Sequence, residues 1–554
     1  MLHIDVSDVI EARTPRHLGV NVEIQDAPDQ SNLWDWLRHA RATAVREFHP
    51  ARVLRREGAD EARFTAVADR AAWEAFRARV QRDPANAVVW EDYLFAEDVP
   101  WLGVPDEVAR WVTDAGATPI ISMDYIPVTF SRPLADPEIT DRLPPADEWD
   151  WAAVASAYEY YVAMVHRYAT TCDARYFLMR NECELNGNNH YLPRAIRDLG
   201  LGRGEFGALL QREHELGTAY HGAVANQMAI LTWAAHQAVD DVQAASGRDD
   251  LFLISPAWCS DVWQTYWQRA GQWADACDFH HYSSQADTFA RRYAVLAHDV
   301  HAAGKRVTST EFGRRSGALT IDQILFAMDN ALEVAEVLMT ALGMARADSA
   351  PCEAATFYHF RFPATHRNYK ALLYGDMNLV DWQAGKDTAL RRRGDGWYPS
   401  ADELQVRFAT PAYAVFRMLA RCVPGERAAT GNAVHRLGWG QMWGPEFEGV
   451  QAQAVDTGRD LVVNLLNPAD RPVPHAAVHV PAAGGDYRFA VVRETSQARR
   501  DEAVAQLPVT DDTAVVDLAP QSLTQVIFTP LALDRATSIR LEEDSLTPGG
   551  LDDG

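Results

Sequence analysis

Glu182 and Glu311 each follow an apolar, strand-like run: Tyr176-Phe-Leu-Met-Arg-Asn-Glu182 and Arg306-Val-Thr-Ser-Thr-Glu311-Phe-Gly. Two carboxyl groups flanking one bond, one protonated and one charged, are what hydrolysis of a glycosidic bond requires. Two further runs carry groups able to support such a pair. Arg46 lies in Ala44-Val-Arg-Glu-Phe48, and His280 and Tyr282 lie in Cys277-Asp-Phe-His-His-Tyr282. Asn181 immediately precedes the first glutamate.

Each of these residues has a plainer reading. An Asn-Glu dipeptide is a weak signal in a chain with 77 acidic residues, and Glu184 is a rival acid two positions on. Arg46 is also placed for an ordinary barrel ion pair with Glu47 or an Asp. The His280-His281 pair suggests a metal, but adjacent strand residues point to opposite faces, so no metal site and no cofactor are expected. A Ser-His-Asp nucleophile has no G-x-S-x-G support. Asp124, Trp258, Tyr358 and His359 follow or end other apolar runs and are placed for substrate contact, although Asp124 suits a helix cap equally well. Asn186, Asn188 and Asn189 form a polar, turn-forming cluster that could reach a neighbouring subsite.

Positioning these groups falls to a β/α alternation that starts near Arg16 and persists to about Arg361. Strands are expected at Leu18–Val22, Ala44–Phe48, Thr118–Met123, from Tyr176, at Leu251–Ser255, Cys277–Tyr282, Arg306–Thr310 and Ala355–Phe360. Helices are expected between them, among them a long amphipathic stretch over Trp149–Thr171, with an insertion between the second and third strands. Eight strands alternating with helices fit a closed α/β barrel, (β/α)8, whose functional groups collect at the C-terminal strand ends. No G-x-G-x-x-G follows the first strand, which argues against a dinucleotide-binding sheet. A helix from Ala412 to about Arg421 closes the region.

Beyond Pro424 short alternating runs separated by turn residues read as an antiparallel β-sandwich. Leu2-His-Ile-Asp-Val6 alternates as well and is expected to join it. The domain reading is therefore a barrel over 16–423, a sandwich built from 1–15 plus 424–534, and an acidic tail over 535–554.

Composition narrows the function classes. With 47% hydrophobic and 23% charged residues the chain reads as globular. Its formal charge of −25, with no long basic stretch, argues against nucleic acid or an anionic membrane as partner. Six cysteines without a C-x-x-C pair are expected to be thiols. The start, Met1-Leu-His-Ile-Asp-Val6, has neither basic residues nor an apolar core, so a cytoplasmic location is expected. The 17 Trp, 18 Tyr and 20 Phe serve mainly a large core, with sugar platforms only near strand ends.

The set of residue types at the strand ends resembles the clan A retaining glycoside hydrolases: Asn181-Glu182 on the fourth, His280-x-Tyr282 on the sixth, and Glu311 on the seventh. The run Thr410-Pro-Ala-Tyr-Ala-Val-Phe-Arg-Met-Leu419 before a sandwich looks like the family 39, 51 and 30 branches, β-xylosidases and α-L-arabinofuranosidases among them. The departures are Met179-Arg180-Asn181-Glu182-Cys183, where Trp-Asn-Glu-Pro is usual, and Tyr358-His359-Phe360, where many members carry Trp. The resemblance implies Glu311 as nucleophile held by Arg46 and Tyr282, Glu182 as acid/base, and Asn181 on the sugar 2-hydroxyl. In a retaining enzyme the two carboxyl groups stand about 5–5.5 Å apart. An oligosaccharide is the expected partner, with exo action on pentose- or hexose-containing chains; a homo-oligomer is compatible. Endo action on a polysaccharide and a non-catalytic carbohydrate-binding barrel are the alternatives.

Overall fold

A computed structural model of the protein describes residues 3–5, 10–23, 33–48, 54–55, 62–94, 105–123, 132–184, 192–200, 214–282, 286–313, 323, 326–346, 348–358, 360, 372–375, 391–393, 396–398, 406–423, 434–437, 450–457, 460–480 and 487–529. Eight parallel strands close into a barrel: β1 (His17–Glu23), β2 (Ala44–Phe48), β3 (Thr118–Ser122), β4 (Tyr176–Leu178), β5 (Phe252–Trp258), β6 (Ala276–Tyr282), β7 (Arg306–Gly313) and β8 (Cys352–Phe357). Each pairs with its sequence neighbours, and β8 returns to β1. The barrel interior is a small apolar plug that includes Ala44, Ile120, Leu178, Ile254, Ala257 and Ala354. Below it Glu353 accepts from Arg16 and Arg306, and from the Tyr176 hydroxyl at 2.7 Å. That end of the barrel is closed by charge pairing, so the chemistry is left to the opposite end.

The helix Trp151–Thr171 is apolar almost all round because it is enclosed by the barrel wall and the 33-residue helix His214–Ser246. Asp150 caps its first turn by accepting from the Ala153 amide at 3.1 Å. Trp73, Trp149, Trp151 and Trp233 pack ring against ring beside it, with Trp73 and Trp233 4.8 Å apart between centroids. Much of the tryptophan supply is thus core.

Two sheets form the sandwich. One is antiparallel and eight-stranded, with Leu461–Asn467 and Ser522–Thr529 paired in its interior. The other has three strands, His3–Asp5, Val473–His479 and Thr513–Leu518. The first of these runs parallel to Val473–His479. Alternation divides the large sheet: Val463, Leu465, Val526 and Phe528 face the small sheet, whereas Val462, Leu466, Leu523 and Ile527 join the barrel's core. Ile10–Arg13 and Ala345–Arg346 extend the large sheet at one edge. The 535–554 tail lies outside the described residues. Among the described residues no helix is long and apolar enough to cross a membrane.

Candidate active site

At the C-terminal mouth of the barrel, side chains from seven strands or their following turns meet. Arg46 on β2 is fully buried and organises one side. Its Nη1 donates to Glu311 Oε2 at 2.8 Å and to Asn21 Oδ1 at 3.2 Å; its Nη2 donates to Asn181 Oδ1 at 2.6 Å. Asn21, on β1 and in register with Arg46, donates in turn to the carbonyls of Thr310, Thr356 and Phe357. Tyr282 donates its hydroxyl to the other Glu311 oxygen, Oε1. Glu311 is thus held at both oxygens.

Glu182 does not end a strand. β4 stops at Leu178, and the chain continues as a turn in which Ala257 donates its amide to the Arg180 carbonyl at 2.8 Å. Glu182 itself has φ +39°, a left-handed conformation that non-glycine residues rarely adopt and that concentrates at functional positions. Its Oε1 meets His280 Nδ1 at 3.1 Å and Cys259 Sγ at 3.0 Å.

His280 links the two glutamates, because the same Nδ1 lies 3.4 Å from Glu311 Oε2. The two facing oxygens are therefore no more than about 6.5 Å apart, at the boundary below which retaining pairs fall. On the ring's far side Nε2 stands 3.2 Å from Thr310 Oγ1, which gives its own proton to Asp278 Oδ2 at 2.5 Å. With Asp278 ionised the hydroxyl has only a lone pair to offer, and Nε2 then carries a hydrogen. A proton at Nδ1 or on a facing carboxyl is then needed to bridge the pair.

The electrostatics agree with that count. Burial alone would push the His280 imidazole down, but the Glu311 charge and the Glu182 hydrogen bond raise it above its ordinary value. Burial alone would likewise raise the Glu182 carboxyl; the hydrogen bond and charge of His280 instead take it down to about 2. Both directions favour the imidazole as holder of the bridging proton, hydrogen-bonded to Glu182.

Two β-bulges produce this geometry. Between β6 and β7 the register advances from Asp278↔Thr308 to His280↔Glu311, so β7 carries an extra residue. Strict alternation would send Thr310 and Glu311 to opposite faces; the bulge turns both toward His280. Between β5 and β6 the register passes from Ala276↔Ile254 to Asp278↔Ala257, with the extra residue on β5. Ile254 and Ala257 therefore both face the barrel interior, and Trp258 is turned outward.

That bulge corrects the substrate-contact reading of Trp258. Its side chain is fully buried, 4.9 Å from Tyr266 of the helix Val262–Ala270. Glu184 is excluded from the mouth as well: its buried carboxylate accepts the amides of Cys259 at 2.5 Å and Ser260 at 2.9 Å, anchoring the loop after β5. His281 points away from His280, stacks on Phe289 and contacts Thr288 Oγ1 at 3.0 Å; burial and Arg292 lower it to about 4. Tyr358 sits edge-on to Tyr282, with ring centroids 6.1 Å apart. Asp124, His359, Asn186, Asn188 and Asn189 lie outside the described residues.

Sequence reasoning missed Asn21, Asp278 and Cys259. Asp278 was within reach, since it shares a face with His280 and Tyr282 at a spacing of two. Cys259 carries no local signal, because a bulge and a turn bring it to Glu182. All six cysteines are free thiols.

No family model matches the sequence, and no curated protein does either. Solved structures match over nearly the whole length. A glucosidase from Croceicoccus marinus is similar at TM-score 0.52 and 13% identity, covering 96% of this chain and 99% of its own. A monomeric beta-xylosidase from Caulobacter crescentus CB15 follows at 0.51 and 12%, with 96% and 99% covered. A GH30 endoxylanase from Clostridium papyrosolvens C71 stands at 0.50 and 12%, with 95% and 99% covered. This chain therefore has the fold in which those enzymes are built: a (β/α)8 barrel carrying a β-sandwich.

Proposed function

We propose that the protein is a retaining glycoside hydrolase, with Glu311 as nucleophile and Glu182 as acid/base. The carrying observation is the single imidazole nitrogen that both carboxylates approach, at 3.1 and 3.4 Å, which supports the short separation of a double-displacement pair. Glu311, charged and oriented by Arg46 and Tyr282, attacks the anomeric carbon; the sugar–oxygen bond breaks and the proton shared by Glu182 and His280 passes to the leaving oxygen. Once Glu311 is esterified its charge is gone. Glu182 then takes a proton from water, whose oxygen attacks the anomeric carbon and releases Glu311. Asn181, fixed by Arg46, is assigned to the sugar 2-hydroxyl, and Tyr358 to the substrate side of Tyr282. The expected substrates are pentose- or hexose-containing oligosaccharides, shortened one sugar at a time.

A panel of nitrophenyl pentosides and hexosides identifies the sugar, and a 2-fluoro activated analogue of the active one tests the mechanism. Glu311 should be labelled at one equivalent, and Glu311→Ala should lose turnover while keeping its circular dichroism. Label on Glu182, or turnover retained by the alanine variant, would overturn the assignment.

A further inference from the structure

Cys259 opens the loop after β5, and it alone of the six cysteines is only partly buried. Its Sγ, Glu182 Oε1 and His280 Nδ1 all lie within 4.8 Å of one another, the oxygen being 3.0 Å from the sulfur and 3.1 Å from the nitrogen. We propose that Glu182, Cys259 and His280 form a binding site for a thiophilic divalent cation of the zinc type, and that the bound ion shuts the site down by capturing the Glu182 carboxylate. The shutdown rests on the glycosidase reading; the binding does not.

The donor set suits such an ion. One sulfur, one imidazole nitrogen and one carboxylate oxygen are ligands that zinc and cobalt accept together, whereas magnesium and calcium prefer oxygen. Zinc bonds of about 2.0 Å to oxygen and nitrogen and 2.3 Å to sulfur put ligand atoms about 3.3–3.6 Å apart in a tetrahedron. The oxygen–sulfur and oxygen–nitrogen separations of 3.0 and 3.1 Å are already close to those values, and the sulfur and nitrogen, within 4.8 Å of each other, must draw together around the ion. A fourth position is left for water, as in other three-ligand zinc sites.

The surroundings are already those of a metal-ligating histidine. His280 Nε2–H is oriented by Thr310 Oγ1, and the Asp278 carboxylate behind it stands 3.7 Å from Nε2. That carboxylate–histidine arrangement fixes Nδ1 as the metal-facing atom. Glu311 adds a second negative group 3.4 Å from Nδ1, while the Arg46 guanidinium on its other side opposes the cation. The expectation of no metal considered only His280 with His281, which do face apart; the partner ligands come instead from the turns after β4 and β5. On binding, one cation enters while the thiol proton and the bridging proton at Nδ1 leave to solvent, with no electron transferred.

Titrating the metal-free protein with Co2+ tests the site without any substrate. A thiolate-to-cobalt charge-transfer band should saturate at one equivalent, disappear on adding Zn2+, and be missing from a Cys259→Ser variant. In the unaltered protein, Zn2+ should slow alkylation of Cys259 at least tenfold, read by peptide mapping. Absence of the band, its survival in the serine variant, or equal alkylation rates would each overturn the site. If the serine variant does not fold, the alkylation rates decide alone. With a nitrophenyl substrate, turnover should fall in step with occupancy; unchanged turnover at full occupancy would sink the capture. A chain that binds Co2+ as described but hydrolyses nothing would refute the glycosidase reading and leave the metal site standing.

Discussion

At the residue scale the site turns on one proton. With hydrogen at His280 Nε2, the charge balance of Glu182 and Glu311 depends on what sits at Nδ1. The first transfer needs that proton, and kcat/KM should therefore hold at neutral pH and fall as pH rises through the His280 value, which lies above the ordinary ~6.5 of histidine. In His280→Gln the carboxyl of Glu182 loses the partner that depresses it and must titrate by itself. The alkaline limb should then move down toward the carboxyl range, with kcat/KM reduced about 10²–10⁴-fold. pH–rate profiles of the two proteins check this, and an unshifted limb would remove His280 from the proton account. Arg46, Asn181, Glu182, His280, Tyr282 and Glu311 were nominated from residue type and from the apolar runs they lie in or follow, and the structure brings their side chains together. Asn21 was not, since it acts only through contacts with residues 25 to 336 positions away.

At the element scale, strand existence was legible and parity was not. Apolar runs bounded by turns located all eight barrel strands, yet β4 ends four residues short of Glu182 and two bulges reverse which side chains face inward. A bulge leaves almost no mark on local composition, so Trp258 looked accessible by spacing and is buried. Pairing between β1 and β2 sets a further constraint. Gly19 opposes Ala44, and a Cβ at Gly19 would sit 2.2 Å from the Ala44 carbonyl oxygen. Backbone, not a flexible side-chain tip, stands in the way. Two residues further along the same strands come Asn21 and Arg46. Gly19→Ala should cost about 1–3 kcal/mol of stability and lower kcat/KM as well, because forcing β1 from β2 moves the guanidinium from Glu311. Urea unfolding with an unchanged slope checks the first effect. A variant of full stability and activity would show that the strands part without disturbing the mouth.

At the scale of the whole molecule, the sandwich is fastened to the barrel by buried polar contacts as well as apolar ones. Asp501 accepts from Arg417 of the helix Pro411–Ala420 at 2.7 Å and from Arg493 of the large sheet at 2.6 Å. Gln525 donates to the Met418 carbonyl at 3.0 Å. Replacing Asp501 by Ala leaves two buried guanidinium groups facing each other without their carboxylate, a loss of about 3–5 kcal/mol. A melting-temperature drop should follow, with Glu311 labelling unchanged in the folded protein because none of these residues approaches the mouth. A melting point within a degree of the parent would show the junction to be redundant. None of this fastening was readable beforehand: an Arg and an Asp 84 positions apart announce no pairing. What the sequence did disclose was the change of texture after Pro424 and the strand-like opening run.

That opening run carries a consequence for the order of assembly. His3–Asp5 pairs with Val473–His479, Ile10–Arg13 pairs with Val434–Leu437, and β1 pairs with β8. These segments acquire such neighbours only when several hundred more residues have been made. At about 5–20 residues per second the wait is roughly half a minute to a minute and a half. Throughout it, the strand at His3–Asp5 has neither its sheet partner nor the apolar layer that covers Ile4. Translation speed, and any helper that shields nascent strands, therefore bear on the yield of this protein more than on one whose first strand pairs with its second.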